Sequence, residues 1–194
     1  MKRAAWVVTR KLTPAADRLL QQCAKECSVA LHQWTEDRPV SRSELLDLVR
    51  SVSTKHDQSV RGILCLLTEQ IDTDVLDAAG PSLNVVSSMS VGVDHVDVRA
   101  LERRGIKLGN TPGVLTDATA EITVALVLAA CRRLPEGIEA VKTGAWSTWS
   151  PLWMCGRGLS GSTVGIVGMG LIGRAVAEYA FFFPSGFPVL TLRP

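Results

Sequence analysis

Short apolar runs recur through the first hundred residues, separated by stretches whose apolar positions have helical spacing. Residues 4–8, 28–34, 62–67, 84–89 and 106–108 read as strands. The run at 62–67, Gly-Ile-Leu-Cys-Leu-Leu, is continuous, as in a central parallel strand buried on both faces. Between the runs, Thr13 and Pro14 open a helix with Leu19, Leu20 and Cys23 on one face. Ser41 or Ser43 caps a second helix carrying Leu45, Leu46, Leu48 and Val49. A short third helix over 73–79 closes at Gly80-Pro81, and Asp94 is expected to cap a fourth over 96–104. Strands alternating with helices at this spacing predict an α/β fold with a parallel sheet.

The pattern breaks at Asn110-Thr111-Pro112-Gly113, which divides the chain into a 1–110 domain and a 111–194 domain. Thr116 or Asp117 caps a long helix to about residue 133, apolar on most sides and therefore expected to be buried. Leu134-Pro135 interrupts it, and another helix follows over 136–143. Trp146, Trp149 and Trp153 then crowd one loop. They predict either a loop folded back on its own domain or an arm that anchors a partner chain.

The stretch over 163–173, Thr-Val-Gly-Ile-Val-Gly-Met-Gly-Leu-Ile-Gly, reads as a buried strand, a glycine turn and the start of a helix. Gly168, Gly170 and Gly173 form G-x-G-x-x-G. The first glycine permits a tight turn, the second lets backbone approach a pyrophosphate, and the third lets helix and strand pack closely. The helix N-terminus, at Leu171 and Ile172, adds unpaired N–H groups and a partial positive charge. The pattern predicts a dinucleotide site; the other reading is a glycine-rich turn without a ligand.

Composition narrows the setting. The hydrophobic content is 46%, the charged content 21% and the net charge +2, with no run of basic residues longer than two. Neither nucleic acid nor a membrane surface is an expected partner. The longest apolar run, 118–131, is too short to span a bilayer. Five cysteines without a C-x-x-C motif predict free thiols in a reducing, cytoplasmic compartment.

Several segments form an ordered set: Ser90-Val-Gly-Val-Asp94-His95, Asn110-Thr-Pro112, Thr119-Ala-Glu121, Cys131-Arg-Arg133 and the glycine stretch. The set resembles the D-isomer-specific 2-hydroxyacid dehydrogenases, most closely the branch acting on glyoxylate and hydroxypyruvate, over residues 5 to about 177. The resemblance implies a flavodoxin-like substrate lobe followed by the start of a Rossmann domain, with the active site between them. It implies a small 2-oxo acid as substrate, NADP or NAD as cofactor, and a homodimer through the tryptophan loop. Val91 and Gly92 would receive the substrate carboxylate, and a strand-end loop offering free N–H groups suits an anion on physical grounds as well. Thr119 matches a position near the nicotinamide; it also reads as an ordinary first-turn residue.

The hydride chemistry needs an arginine on the carboxylate, a histidine proton donor and a carboxylate orienting that histidine. The family places these beyond its glycine motif, and this sequence has no match to them. No catalytic residue is therefore assigned. His32 and His56 read as surface residues, and His95 as a solvent-facing first-turn residue. Beyond Ala177 the sequence departs from the family pattern. Residues 189–192 read as a second Rossmann strand with Arg193 at its tip, where a basic residue would meet a 2′-phosphate; an altered terminus is the other reading. The expectation is a C-terminally truncated, marginally stable chain. Its alternatives are an inactive isoform that pairs with full-length subunits, or a dinucleotide-sensing binding protein.

Overall fold

A computed structural model describes residues 2–181 and 189–192. The chain divides into two compact units, Met1–Pro112 and Gly113–Pro194.

The first unit is a five-stranded parallel sheet. Its strands are β1 (Arg3–Val8), β2 (Ala30–Gln33), β3 (Gln58–Cys65), β4 (Val85–Ser88) and β5 (Lys107–Gly109), in the order β2-β1-β3-β4-β5. That is the flavodoxin-like order. Four helices connect them: α1 (Pro14–Glu26), α2 (Arg42–Thr54), α3 (Thr73–Ala79) and α4 (Val98–Arg103). Leu45, Val49 and Val52 of α2 and Val75 and Leu76 of α3 join Val7, Ile63, Cys65 and Val86 in one core. The central run is not buried on both faces. Leu64 is half-buried, and the strand ends at Cys65, so Leu66 and Leu67 lie beyond it with Leu67 exposed.

Local chemistry sets the helix starts. Thr13 accepts a hydrogen bond from the Ala16 N–H, and Pro14 takes the first turn of α1. Ser41, not Ser43, caps α2 through a reciprocal capping box with Glu44. Asp72 accepts from the N–H groups of Asp74 and Val75 at α3, which closes on Gly80 at φ 80°. The expected cap at Asp94 is corrected: α4 begins two residues late, and Asp97 caps it through the Ala100 N–H. Residues 95–97 are occupied first by bonds with Ile71. Its N–H donates to the His95 carbonyl, and its carbonyl accepts from the Asp97 N–H.

The second unit contains α5 (Thr116–Cys131), α6 (Leu134–Lys142), β6 (Val164–Val167), α7 (Leu171–Phe181) and β7 (Val189–Leu192). Strands β6 and β7 pair in parallel, giving a β–α–β unit around the glycine turn. Helix α5 starts at the expected place but with Leu115 at the cap and no side-chain bond, so neither Thr116 nor Asp117 caps it. Nor is it buried within the unit. Ala120 and Val124 pack on β6 and α7, whereas Ile122 and Leu126 are more than half exposed. Its apolar residues surround the axis, and a two-stranded sheet covers only one stripe of them. For the same reason only Ile166 of β6 is buried, which corrects the expectation of a buried strand. Pro135 opens α6 instead of preceding it. Arg133 turns the chain in the left-handed region at φ 55°, and Pro135 sits in the first turn, where no N–H is needed.

The tryptophan loop folds back on its own unit at both ends. The Trp146 backbone N–H donates to the Ala140 carbonyl, and its ring stacks edge-on with Trp153, ring centres 4.9 Å apart. The Arg157 N–H bonds to the Cys131 carbonyl, tying the far end of the loop to α5. Trp149 and Leu152 instead point outward, 80% and 89% exposed.

Candidate functional site: a turn of unpaired N–H groups and a glycine-rich helix start

In a parallel sheet of this order, ligands bind outside the carboxyl ends of the strands, near the point where the strand order reverses. Here the reversal lies between β1 and β3. That crevice is filled by a buried carboxylate. Glu69 accepts from the Thr9 hydroxyl at 2.6 Å and the Leu66 N–H at 2.9 Å, with Arg10 3.5 Å away. The accessible backbone lies one strand over, beyond β4, where residues 89–92 turn toward α4.

That turn is held by its carbonyls. Ser90 Oγ donates to the Gly92 carbonyl at 2.7 Å, Asn110 Nδ2 to the Val91 carbonyl at 2.9 Å, and the Thr111 N–H to the Ser90 carbonyl at 2.9 Å. The N–H groups of Val91, Gly92 and Val93 meet no acceptor among the described residues. A Cβ on Gly92 would meet only Asp94 Oδ2, at 3.7 Å, and Gly92 itself is exposed. Consecutive unpaired N–H groups, with their carbonyls drawn away, are a backbone arrangement that suits an anion. Val91 and Gly92 are both in this turn. Ser88, outside the quoted motifs, and Ser90 and Asn110, within them but given no role, shape the turn. The signal for the serines was the spacing Ser88-x-Ser90, which at the end of a strand places both hydroxyls on one side.

His95 is not the solvent-facing first-turn residue expected. It precedes α4, and its Nε2 lies 2.9 Å from Ser88 Oγ, part-buried. His56 is exposed as expected, but His32 is half-buried, with Nε2 2.7 Å from Gln58 Oε1. Cys65 is buried beside this serine pair, and burial pushes its thiol up to about 11, against a hydrogen bond with Ser88 that lowers it. The thiol therefore stays protonated at neutral pH.

In the second unit each glycine of the motif occupies a different physical situation. Gly168 has φ +90°, a conformation that disfavours any side chain. Around Gly170 nothing lies within 4 Å of a built Cβ, so the backbone there is open to a close ligand. A Cβ on Gly173 would stand 2.2 Å from the Gly168 carbonyl oxygen, so the strand and helix meet there at backbone contact. The Arg174 N–H makes the first intrahelical bond, to the Gly170 carbonyl. The N–H groups of Leu171, Ile172 and Gly173 consequently form the open first turn of α7. The Leu171 and Ile172 side chains are 64% and 37% exposed, so at the turn these two residues present backbone. This is a fit to a pyrophosphate: an open glycine, a helix N-terminus and no side chain in the way. Thr119 lies in the first turn of α5, half-buried, its carbonyl accepting from Thr123 Oγ1. Arg193 lies outside the described residues. Among the described residues no group of three His, Cys, Asp or Glu side chains is placed to hold a metal ion, and no helix is long and apolar enough to cross a membrane.

A profile of the D-isomer specific 2-hydroxyacid dehydrogenase catalytic domain matches residues 6–182. The chain belongs to the D-isomer specific 2-hydroxyacid dehydrogenases. Among its relatives in that family is the glyoxylate reductase/hydroxypyruvate reductase of Mus musculus, 54% identical over 85% of this chain and 47% of the relative. The protein of the same name from Homo sapiens is 50% identical over 88% of this chain and 49% of its own length. A solved NAD-binding protein from Polaromonas sp. JS6 66 is 34% identical, with a TM-score of 0.76, over all of this chain and 55% of that one. The chain thus spans about half the length of the curated 2-hydroxyacid dehydrogenases it matches.

Proposed function

We propose that the chain serves the NAD(P)H-dependent reduction of glyoxylate or hydroxypyruvate to the D-2-hydroxy acid. The observation that carries this reading is the turn at residues 91–93, whose N–H groups are unpaired while its carbonyls are drawn back by Ser90 and Asn110. Such a turn suits the carboxylate of a small 2-oxo acid. The names of the mouse and human relatives support that substrate class.

In this reading residues 1–110 form the substrate domain and residues 111–194 the dinucleotide domain. Val91 and Gly92 receive the carboxylate through backbone N–H. Gly168 and Gly170 make the bed for the pyrophosphate, and the N–H groups of Leu171, Ile172 and Gly173 bond it. Thr119 borders the nicotinamide. A reduced nicotinamide supplies the hydride when bound. The open backbone of the cradle suits NADP and NAD alike, and Arg193 is the residue whose spacing favours the 2′-phosphate of NADP.

No side chain of this chain is assigned as proton donor. His95, the histidine nearest the turn, is committed to Ser88. The chain by itself is therefore expected to bind dinucleotide without turnover. A second reading is favoured by the outward Trp149 and Leu152: an inactive isoform that pairs with full-length subunits, or with itself, through residues 146–153. The cytoplasm, with free thiols, is the expected compartment for either.

The test is fluorescence titration of NADPH and NADH onto the purified chain, followed by glyoxylate-dependent loss of the reduced-cofactor absorbance, with and without a full-length subunit. Saturable binding and no turnover by the chain alone is the expected result. Absence of dinucleotide binding would refute the cradle. Turnover by the chain alone would overturn the statement that it holds no proton donor.

A further inference from the structure

We propose that His95 is a positioning residue for the 91–93 turn, acting through a two-serine relay of fixed direction. Three contacts define the relay. His95 Nε2 lies 2.9 Å from Ser88 Oγ, Ser88 Oγ lies 2.6 Å from Ser90 Oγ, and Ser90 Oγ donates to the Gly92 carbonyl at 2.7 Å. A hydroxyl has one proton. Ser90 commits its proton to the Gly92 carbonyl, so across the serine pair Ser90 accepts and Ser88 donates. Ser88 has then spent its own proton and must accept from the imidazole. His95 therefore carries its proton on Nε2 when neutral. The charged imidazolium carries the same proton, so the relay keeps its direction in both states.

The surroundings enforce this order. Ser88 and Ser90 are 2% and 6% exposed, so water does not compete for their protons. Cys65, the other partner of Ser88, keeps its thiol proton because burial pushes it up to about 11, and so does not draw the Ser88 proton as a thiolate would. The backbone of His95 is fixed independently, its carbonyl accepting from the Ile71 N–H at 2.8 Å. The ring thus starts a chain of donors that ends on the Gly92 carbonyl. Pulling that carbonyl inward leaves the N–H groups of the turn facing an incoming carboxylate. Without an Nε2–H donor, the Ser88 and Ser90 protons can reverse, and the Gly92 carbonyl is free to turn outward and repel the anion.

The inference rests on reading the turn as a carboxylate receptor, and the test separates the two. The full chain would be prepared as wild type, His95→Leu, which has no donor, His95→Gln, whose amide reaches the Nε2 position as a donor, and Ser90→Ala, which ends the relay. Three quantities would be measured: the His95 tautomer by long-range nitrogen–proton NMR, the carbonyl carbon shift of Gly92, which moves downfield when that oxygen accepts a hydrogen bond, and affinity for oxalate as a 2-oxo acid mimic. The expected result is the Nε2–H tautomer, with the Gly92 carbonyl shift moved upfield in His95→Leu and Ser90→Ala. Oxalate affinity would fall about tenfold in those two variants, as for one lost buried hydrogen bond, and recover in His95→Gln. An Nδ1–H tautomer would overturn the relay. So would a wild-type Gly92 carbonyl shift in His95→Leu, or a His95→Gln variant as impaired as His95→Leu. If wild-type chain does not bind oxalate, the carboxylate reading of the turn fails, while tautomer and carbonyl shift still decide the relay. Should His95→Leu fail to fold, the wild-type tautomer still decides the relay, since an Nδ1–H imidazole cannot donate to Ser88.

Discussion

Replacing Gly170 and Gly173 by alanine one at a time separates the two jobs the cradle combines. The added atom at Gly173 would lie 2.2 Å from the Gly168 carbonyl oxygen and 3.4 Å from Ile166 Cγ2. A carbon–oxygen contact needs about 3.3 Å, so α7 and the turn must part by roughly 1 Å. The packing that must yield is the small core of Ala120, Ile166, Ala175 and Val176. Overpacking of this kind costs about 1–3 kcal/mol, a fall in Tm of roughly 4 °C or more for a unit this small. At Gly170 the added atom meets nothing within 4 Å. The loss there is that of an N-terminal helix cap, below about 1 kcal/mol. The same methyl occupies the open space where a phosphate would approach, so NADPH affinity should fall at least about tenfold, or 1.4 kcal/mol. Calorimetric melting and NADPH fluorescence titration on the same preparations measure both effects. Gly170→Ala binding NADPH as wild type does would refute the phosphate assignment, and Gly173→Ala melting as wild type would refute the backbone contact.

Other outcomes follow from the same geometry. Gly92→Ala should leave melting within about 0.5 kcal/mol, because its Cβ meets only Asp94 at ordinary contact distance, and should weaken oxalate binding seen by calorimetry. Asp97→Ala should cost about 1 kcal/mol in urea unfolding, with Asp94→Ala near zero, since Asp97 is the cap that bonds the Ala100 N–H. Asp72 is raised by burial, but hydrogen bonds from Arg42 and then from the Val75 N–H outweigh this and hold its carboxyl below its ordinary value. Its contribution is therefore present above the unfolded carboxylate pKa and lost as pH falls through the lower folded one. An acid-unfolding series should show a smaller loss in Asp72→Asn than in wild type over that window. Trp149→Ser should leave melting unchanged, because the side chain is 80% exposed, and should shift sedimentation toward monomer if the loop pairs chains.

Much of the fold was legible because its signals are local. Apolar runs spaced by capped helices placed all five strands of the first unit, and Ser41 with Glu44 or Asp72 with the 73–75 turn satisfy their bonds within four residues. The glycine motif was legible for the same reason, since its three positions act on one turn. Burial was less so. The all-apolar α5 looks like a core helix, yet how much of it is covered depends on the size of the sheet it meets, and Ile122 stays exposed. The cap of α4 was misplaced because Ile71, from a distant segment, bonds the backbone at 95–97 first.

The sequence by itself determined the alternation of strands and helices, the glycine cradle and the membership of its segments in one dehydrogenase family. These depend on residue type and spacing along the chain. Only the tertiary structure decided that the 91–93 turn presents unpaired N–H groups and that His95 stands behind it. Asn110 reaches Val91 across nineteen positions and His95 reaches Ser88 across seven. The first exists only once β4 and β5 are paired in register, Val85 with Lys107 and Ser87 with Gly109, and the second is held once Ile71 bonds the backbone at 95–97.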